Sequence, residues 1–371
     1  MAEVEAGTPA ELTALPQLAA LPELAALPET IPVREAHRFP TGPFEDFLVA
    51  QGLGRLADLR QMRGGQSNPT FLVVAGDGAE YVLRKQPPGR LLPSAHAVDR
   101  EFRVLSALAG TEVPVPRPVA YSAEPAVIGT PFYLMERLRG RVFWDPALPE
   151  LPRAERAGIY DAMNAALASL HRADWRRLGL ADYGRPGNYF GRQIERWSRQ
   201  WAASKTRENP AIDRLAAWLP AHLPEGDDTG DETTICHGDF RLDNMIFHAT
   251  EPRVIGILDW ELATLGHPLA DLGYNCIPYN TAPDAYRGLL GRDLADLGIP
   301  SEAAYVARYC ARTGRADGIT PFHIAFALFR LAVILEGVLA RARAGNASSA
   351  DAEAKGSLGI LLAERGWELV R

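Results

Sequence analysis

Eight residues constrain this chain more than any others: HGDFRLDN, His237 to Asn244. They form a polar stretch between two apolar runs, TIC at 234–236 and MIF at 245–247. Fifteen residues after Asn244, a third apolar run, VIGIL, ends on Asp259. Short apolar runs bounded by turn residues read as buried strands. Residues 233–261 are therefore a strand–loop–strand unit, with Asp239, Asn244 and Asp259 at its polar bends.

Around this unit the chain changes texture. Upstream, FLVVAG (71–76) and YVLRK (81–85) are joined by an Asp-Gly turn and read as a hairpin. In 96–110 the apolar residues Val98, Phe102, Leu105 and Leu108 recur at helical spacing, and Gly110 supplies a stop. Segment 44–60 opens like a helix and breaks at Gly52 and Gly54. Downstream, 153–173, 190–204, 211–223, 301–313, 321–344 and 357–369 read as helices. The expected fold class is α+β with two lobes, which suits 371 residues. A small β-rich lobe spans 33–137. A larger helical lobe, 138–371, holds the polar insert. A hinge near Met135–Gly140 joins them, and clefts between lobes favour ligands. Residues 1–32 read as a flexible arm, because LPQLAALPELAALPET (15–30) sets a proline every six residues and so forbids a regular helix.

Composition removes several function classes. The balance of 39 Lys+Arg against 46 Asp+Glu, a net −7, argues against a chain-wide nucleic-acid footprint. Three widely spaced cysteines cannot build a disulfide framework, which suits a reduced, cytoplasmic setting. The opening residues lack the basic and apolar regions of a signal peptide. The most apolar stretch, 322–340, carries His323, Arg330 and Glu336, so a buried helix is expected and no membrane partner. Neither G-x-S-x-G, H-E-x-x-H nor a paired C-x-x-C occurs. GLGRLA (52–57) fits a dinucleotide fingerprint, but Asp58 and Asp77 fit poorly as its acidic partner, so a tight turn is expected.

What remains is phosphoryl transfer. That chemistry needs one carboxylate to orient a hydroxyl and accept its proton, plus an amide and a second carboxylate to hold Mg²⁺ against phosphate oxygens. Asp239, Asn244 and Asp259 have the offsets of the protein-kinase catalytic loop and its metal-binding Asp. Asp239 is then the expected base, Asn244 and Asp259 the metal ligands. Arg241 stands where a cation can touch the transferring group. Upstream, Gly64, Gly65, Gln66, Ser67 and Asn68 form a glycine turn able to cradle phosphates. Strand alternation puts Val82 and Arg84 on one face and Lys85 on the other, so Arg84 is the expected phosphate-binding cation. Glu101, on the following helix, is its expected partner. The cofactors are ATP and Mg²⁺.

With these residues assembled, the chain resembles the aminoglycoside phosphotransferase/choline kinase family of small-molecule kinases. HGDFRLDNMIF, ILDWELATLGHPLADLG, GGQSNPTF and LASLH carry the resemblance, from about residue 40 to 345. It implies a protein-kinase-like fold, a brace on the catalytic loop from Asp271, and adenine binding along Met135, Glu136 and Leu138. A narrower resemblance, carried by 83–108, 129–145 and YGRPGNYFGRQIERW (183–197), is to the kinase-like domain of acyl-CoA dehydrogenase family members ten and eleven. It implies phosphorylation of a 4-hydroxyacyl-CoA hydroxyl, with a separate acyl-CoA dehydrogenase-like enzyme as pathway partner. Arg139, Arg141, Trp144, Arg185, Asn188, Tyr189 and Arg192 are candidates for that acceptor's pocket, since phosphates want cations and an adenine wants stacking faces. The rivals are an aminoglycoside, choline or sugar kinase, and a nucleotide-binding pseudokinase or scaffold. A protein kinase is disfavoured, because Asp259 precedes Trp-Glu rather than Phe-Gly and no A-P-E segment occurs.

Overall fold

The computed structural model describes residues 29–63, 68–87, 96–343 and 352–371. The first 28 residues of the expected arm and the phosphate-cradle residues Gly64 to Ser67 lie outside the described residues.

The N-terminal half is built on one antiparallel sheet. Its strands are β1 (Thr30–Ile31), β2 (Leu56–Met62), β3 (Thr70–Ala75), β4 (Glu80–Lys85), β5 (Pro118–Ser122) and β6 (Phe132–Glu136), in the order β1-β2-β3-β4-β6-β5. Helix α1 (Thr41–Ala50) covers one face. Phe44, Leu48, Phe71, Leu83 and Phe132 meet there, and Phe44 and Phe132 stack edge to face. Burying such a ring is worth about 1.5–3 kcal/mol. Helix α2 (Val98–Leu108) packs on the opposite face, with Val82, Tyr133 and Met135. The expectation for 44–60 needs one correction. The helix ends at Ala50, and after the Gly52–Gly54 turn the chain enters strand β2. Pairing with β3 overrides the local pattern of LADLRQM.

The C-terminal half is helical. It contains α3 (Arg153–Arg172), α4 (Tyr189–Ser204), α5 (Pro210–Trp218), α6 (Pro268–Asn275), α7 (Glu302–Thr313), α8 (Pro321–Arg343) and α9 (Ala352–Glu368), with several one-turn helices between them. Two small antiparallel ribbons interrupt it: β7 (Thr234–Cys236) with β10 (Thr264–Gly266), and β8 (Met245–Phe247) with β9 (Val254–Ile257). Helix α8 is long and apolar enough to cross a membrane by length and composition, yet 89% of its most apolar window is buried inside the protein. Its polar residues are engaged: His323 accepts from Thr320, Glu336 pairs with Arg207, and Arg330 reaches the loop after β7.

The crossing between halves depends on a glycine. Arg141 and Phe247 exchange backbone hydrogen bonds, laying the linker against β8. A Cβ on Gly140 would stand 2.1 Å from the Phe247 carbonyl oxygen, so no side chain fits there.

Candidate active site

The loop after β7 is held from several directions. Asp271, in the first turn of α6, accepts hydrogen bonds from the backbone N–H of His237 at 2.6 Å and of Gly238 at 2.8 Å. Arg330 donates to the Gly238 carbonyl. Gly238 has φ +82, and a Cβ there would meet the Leu262 carbonyl at 2.7 Å. His237 accepts from the Asp239 N–H at Nδ1 and donates from Nε2 to the Leu258 carbonyl, at 3.1 and 2.8 Å. Burial opposes the charge on Asp271, but hydrogen bonding from His171, the nearby His237 and the Gly238 N–H outweigh it and hold its pKa below the ordinary range.

This brace leaves Asp239 with 17% of its side chain exposed. The Asn244 amide nitrogen donates to both the Asp239 carboxylate (2.8 Å) and its backbone carbonyl (2.9 Å). Arg241 stands between Asp239 and Asp243, with Nε at 3.4 and 3.3 Å. Burial opposes ionisation of Asp239. The Arg241 guanidinium, the Tyr274 hydroxyl, His237 and Arg330 outweigh it and lower its pKa. Asp239 is thus ionised at neutral pH. Such a weak base orients a hydroxyl first and takes its proton only as the new bond forms. Asp243 behaves oppositely: burial raises its pKa despite Arg241 and Arg287.

A second cluster faces it from the sheet. Arg84, 8% exposed, lies with its Nε 2.7 Å from Glu101 and its terminal nitrogen 2.6 Å from Asp259. The Glu101 contact is close but not aligned as a hydrogen bond. Glu261 adds a third carboxylate at 3.6 Å. Asn68 and Tyr133 each donate to Glu101, at 2.7 and 2.9 Å. Lys85 points to the other face of β4, over the Phe39 ring. Asp259 has φ +65, a region that Asp tolerates better than most residues. The Leu258 N–H donates to the Asn244 carbonyl at 2.8 Å, which ties the chain before Asp259 to Asn244.

The profile of the phosphotransferase enzyme family matches residues 58–316 of this sequence. The chain belongs to that family. Over 351 residues it is 42% identical to mouse acyl-CoA dehydrogenase family member 10, covering 91% of this chain and 32% of that protein. It is 43% identical to chicken acyl-CoA dehydrogenase family member 11, covering 92% of this chain and 44% of that protein. The chain thus spans less than half the length of either relative. A crystal structure from Ralstonia eutropha, provisionally assigned as an aminoglycoside phosphotransferase, is 48% identical with TM-score 0.80, covering 90% of this chain and 98% of that one. The fold also matches aminoglycoside phosphotransferase APH(4)-Ia in a ternary complex with AMP-PNP and hygromycin B, at 17% identity and TM-score 0.55, over 87% of this chain and 98% of that one. The chain accordingly has the protein-kinase-like fold of a phosphotransferase.

In this phosphotransferase the segment read as the adenine hinge leaves β6. Met135 is buried opposite Val82. Glu136 binds Arg117 twice, accepting from its N–H at the carboxylate and donating to its carbonyl. Leu138 rests on Gly256, whose missing Cβ leaves room for it.

The acceptor candidates fare unevenly. Arg141 is committed to the carbonyls of His248 and Glu251. Arg192 is committed to those of Gly187 and Arg185. Tyr189 is buried, and the N–H groups of Asn188 and Tyr189 both bond Asp227. Asn188, Tyr189, Arg192 and Asp227, with the Arg185 carbonyl, hold up the turn before α4. Arg139 pairs with Glu80. Trp144 is the exception: it is 49% exposed, with the Arg287 guanidinium 5.4 Å from its ring. Sequence reading missed Arg287, Tyr274 and Arg330. Tyr274 follows Asp271 by three on one helix, a spacing visible in the sequence. Arg330 and Arg287 carried no local signal.

The donor set suits a divalent metal. The Asn244 nitrogen is committed to Asp239, which leaves its amide oxygen for a cation. Asp259 adds a carboxylate, and three carboxylates converge on the single Arg84 charge. Hard oxygen donors in a negatively charged cluster fit Mg²⁺. His171, Cys236 and Asp271 also lie close together. There burial pushes the Cys236 thiol well up, Cys236 bonds the His267 carbonyl, and Asp271 braces the loop after β7, so that trio reads as structural.

Proposed function

We propose that this protein transfers the γ-phosphoryl group of ATP to the hydroxyl of a 4-hydroxyacyl-CoA. The observation that carries the kinase reading is the pair of facing clusters, Asp239–Asn244–Arg241 and Arg84–Glu101–Asp259. The acceptor class is supported by similarity, over nearly the whole chain, to proteins named acyl-CoA dehydrogenase family members 10 and 11. Excess arginine on the acceptor side disfavours a polycationic aminoglycoside. A separate acyl-CoA dehydrogenase-like enzyme, acting in the cytoplasm on the phosphorylated product, completes the reading.

Asp239 accepts a hydrogen bond from the substrate hydroxyl and aims its oxygen at the γ-phosphorus. As the oxygen–phosphorus bond forms, the bond from the γ-phosphorus to the β,γ-bridging oxygen breaks and ADP leaves. The hydroxyl proton passes to Asp239. Arg241 steadies charge on the transferring group, and Arg84, fixed by Glu101, holds the nucleotide phosphates. Mg²⁺, when bound, neutralises phosphate charge, with Asn244 and Asp259 as its ligands.

The test is ADP release with Mg·ATP and a panel of 3-, 4- and 5-hydroxyacyl-CoAs, free hydroxy acids, kanamycin and choline. Turnover should be confined to hydroxyacyl-CoAs and greatest for the 4-hydroxy isomer. Turnover on kanamycin or choline alone would overturn the acceptor assignment.

A further inference from the structure

Two guanidinium groups that share the Trp197 indole lack a carboxylate within ion-pair distance among the described residues. Arg330 on α8 is 4% exposed, and its Nε has no hydrogen-bond partner. Its charge rests 5.5 Å from the Trp197 ring and 5.4 Å from the Tyr274 ring. Arg196 on α4 has its guanidinium 5.4 Å from the same Trp197 indole and is exposed. Arg84, the other buried arginine among the described residues, is matched with Glu101 and Asp259.

The buried Arg330 charge, with no carboxylate in contact, is costly to hold, and Arg196 sets a like charge on the same indole. A ligand that supplies the missing acceptor relieves that cost. The place is next to the chemistry. Arg330 binds the carbonyl of Gly238, the residue before Asp239, and Tyr274 bonds Asp239 itself. The nucleotide phosphates have their own cation in Arg84. An exposed guanidinium fork matches the oxygen of a carboxylate or thioester better than it matches a hydroxyl.

We infer that Arg196, backed by Arg330 and Trp197, is the subsite for the carboxyl-derived oxygen of the acceptor, a hydroxy acid or its thioester whose hydroxyl lies a few bonds away. This deepens the proposed reaction at Asp239 and rests on it. It assigns Arg196 to acceptor recognition and leaves nucleotide binding to the sheet.

Calorimetric titration of the full chain, saturated with Mg·AMP-PNP, tests it without requiring turnover. The probes are 4-hydroxypentanoyl-CoA, coenzyme A alone and 1,4-pentanediol. Wild-type protein should bind the thioester and prefer it to the diol. Arg196→Gln, a change at an exposed position, should weaken thioester binding about tenfold, with coenzyme A and AMP-PNP unchanged. Arg196→Lys should recover part of the loss. An equal loss for coenzyme A alone would show that Arg196 reads its phosphates and would overturn the assignment. So would unchanged thioester affinity in the variant, or no thioester binding by wild-type protein. Failure of the reaction itself registers separately, as turnover insensitive to Asp239→Asn.

Discussion

The two charged clusters, joined where the Leu258 N–H bonds the Asn244 carbonyl, are built in opposite senses. On the sheet side one guanidinium, Arg84, is surrounded by Glu101, Asp259 and Glu261. On the loop side the Asp239 carboxylate is held among Arg241, His237, Tyr274 and Arg330, with Arg287 near Asp243. The first cluster sets three carboxylates around one guanidinium, a donor set that suits a divalent cation. The second is rich in guanidinium groups and suits an acceptor that carries electronegative oxygens. A phosphotransferase needs both fields, because Mg·ATP and its acceptor must approach one point from different sides.

The loop side can be broken most severely at its brace. Asp271→Asn leaves one oxygen for two backbone N–H donors and turns an amide toward them. We expect a loss of about 3 kcal/mol in chemical denaturation, with a fall in kcat larger than the rise in nucleotide KM. Retained stability would mean that Arg330 and His237 hold the loop unaided. A second prediction probes the scaffold under this side. Burial pushes the His323 pKa down to about 3. The unfolded chain therefore binds a proton below pH 6.5 that the folded chain refuses, and stability falls as pH drops from 6.5 towards 3. Between pH 6.5 and 5 this contributes about 2 kcal/mol of loss. His323→Gln should flatten that part of the melting-temperature profile. The sheet side is sharpened by Arg84→Lys. A point charge cannot span Glu101 and Asp259 as the planar fork does, so the nucleotide KM should rise about tenfold with acceptor KM unchanged. A change confined to acceptor KM would reverse the division of labour drawn here.

The strand–loop–strand insert was legible because strand period and catalytic offsets are local patterns, so Asp239, Asn244 and Asp259 stand out together. Arg84 was legible through alternation along β4, since Lys85, one residue on, must face Phe39. Segment 56–62 was not. Its residues carry no strand alternation, and only pairing with β1 and β3 makes it a strand. The acceptor side was the least legible. Arg141 and Arg192 look free in sequence, and what decides otherwise is carbonyl acceptors brought close by the fold. Arg330 lies ninety-two residues from the carbonyl it binds. An arginine in an apolar helix announces burial, without saying what it serves.

The central claim is that Asp239 acts in phosphoryl transfer and not in nucleotide binding. It is tested most directly by comparing Asp239→Asn with wild-type protein in two assays: AMP-PNP affinity, and ATP-dependent phosphate incorporation into 4-hydroxypentanoyl-CoA read by mass spectrometry. The account predicts nucleotide affinity within about twofold of wild type and phosphate incorporation reduced by about a thousandfold. Near-normal incorporation by Asp239→Asn would contradict it.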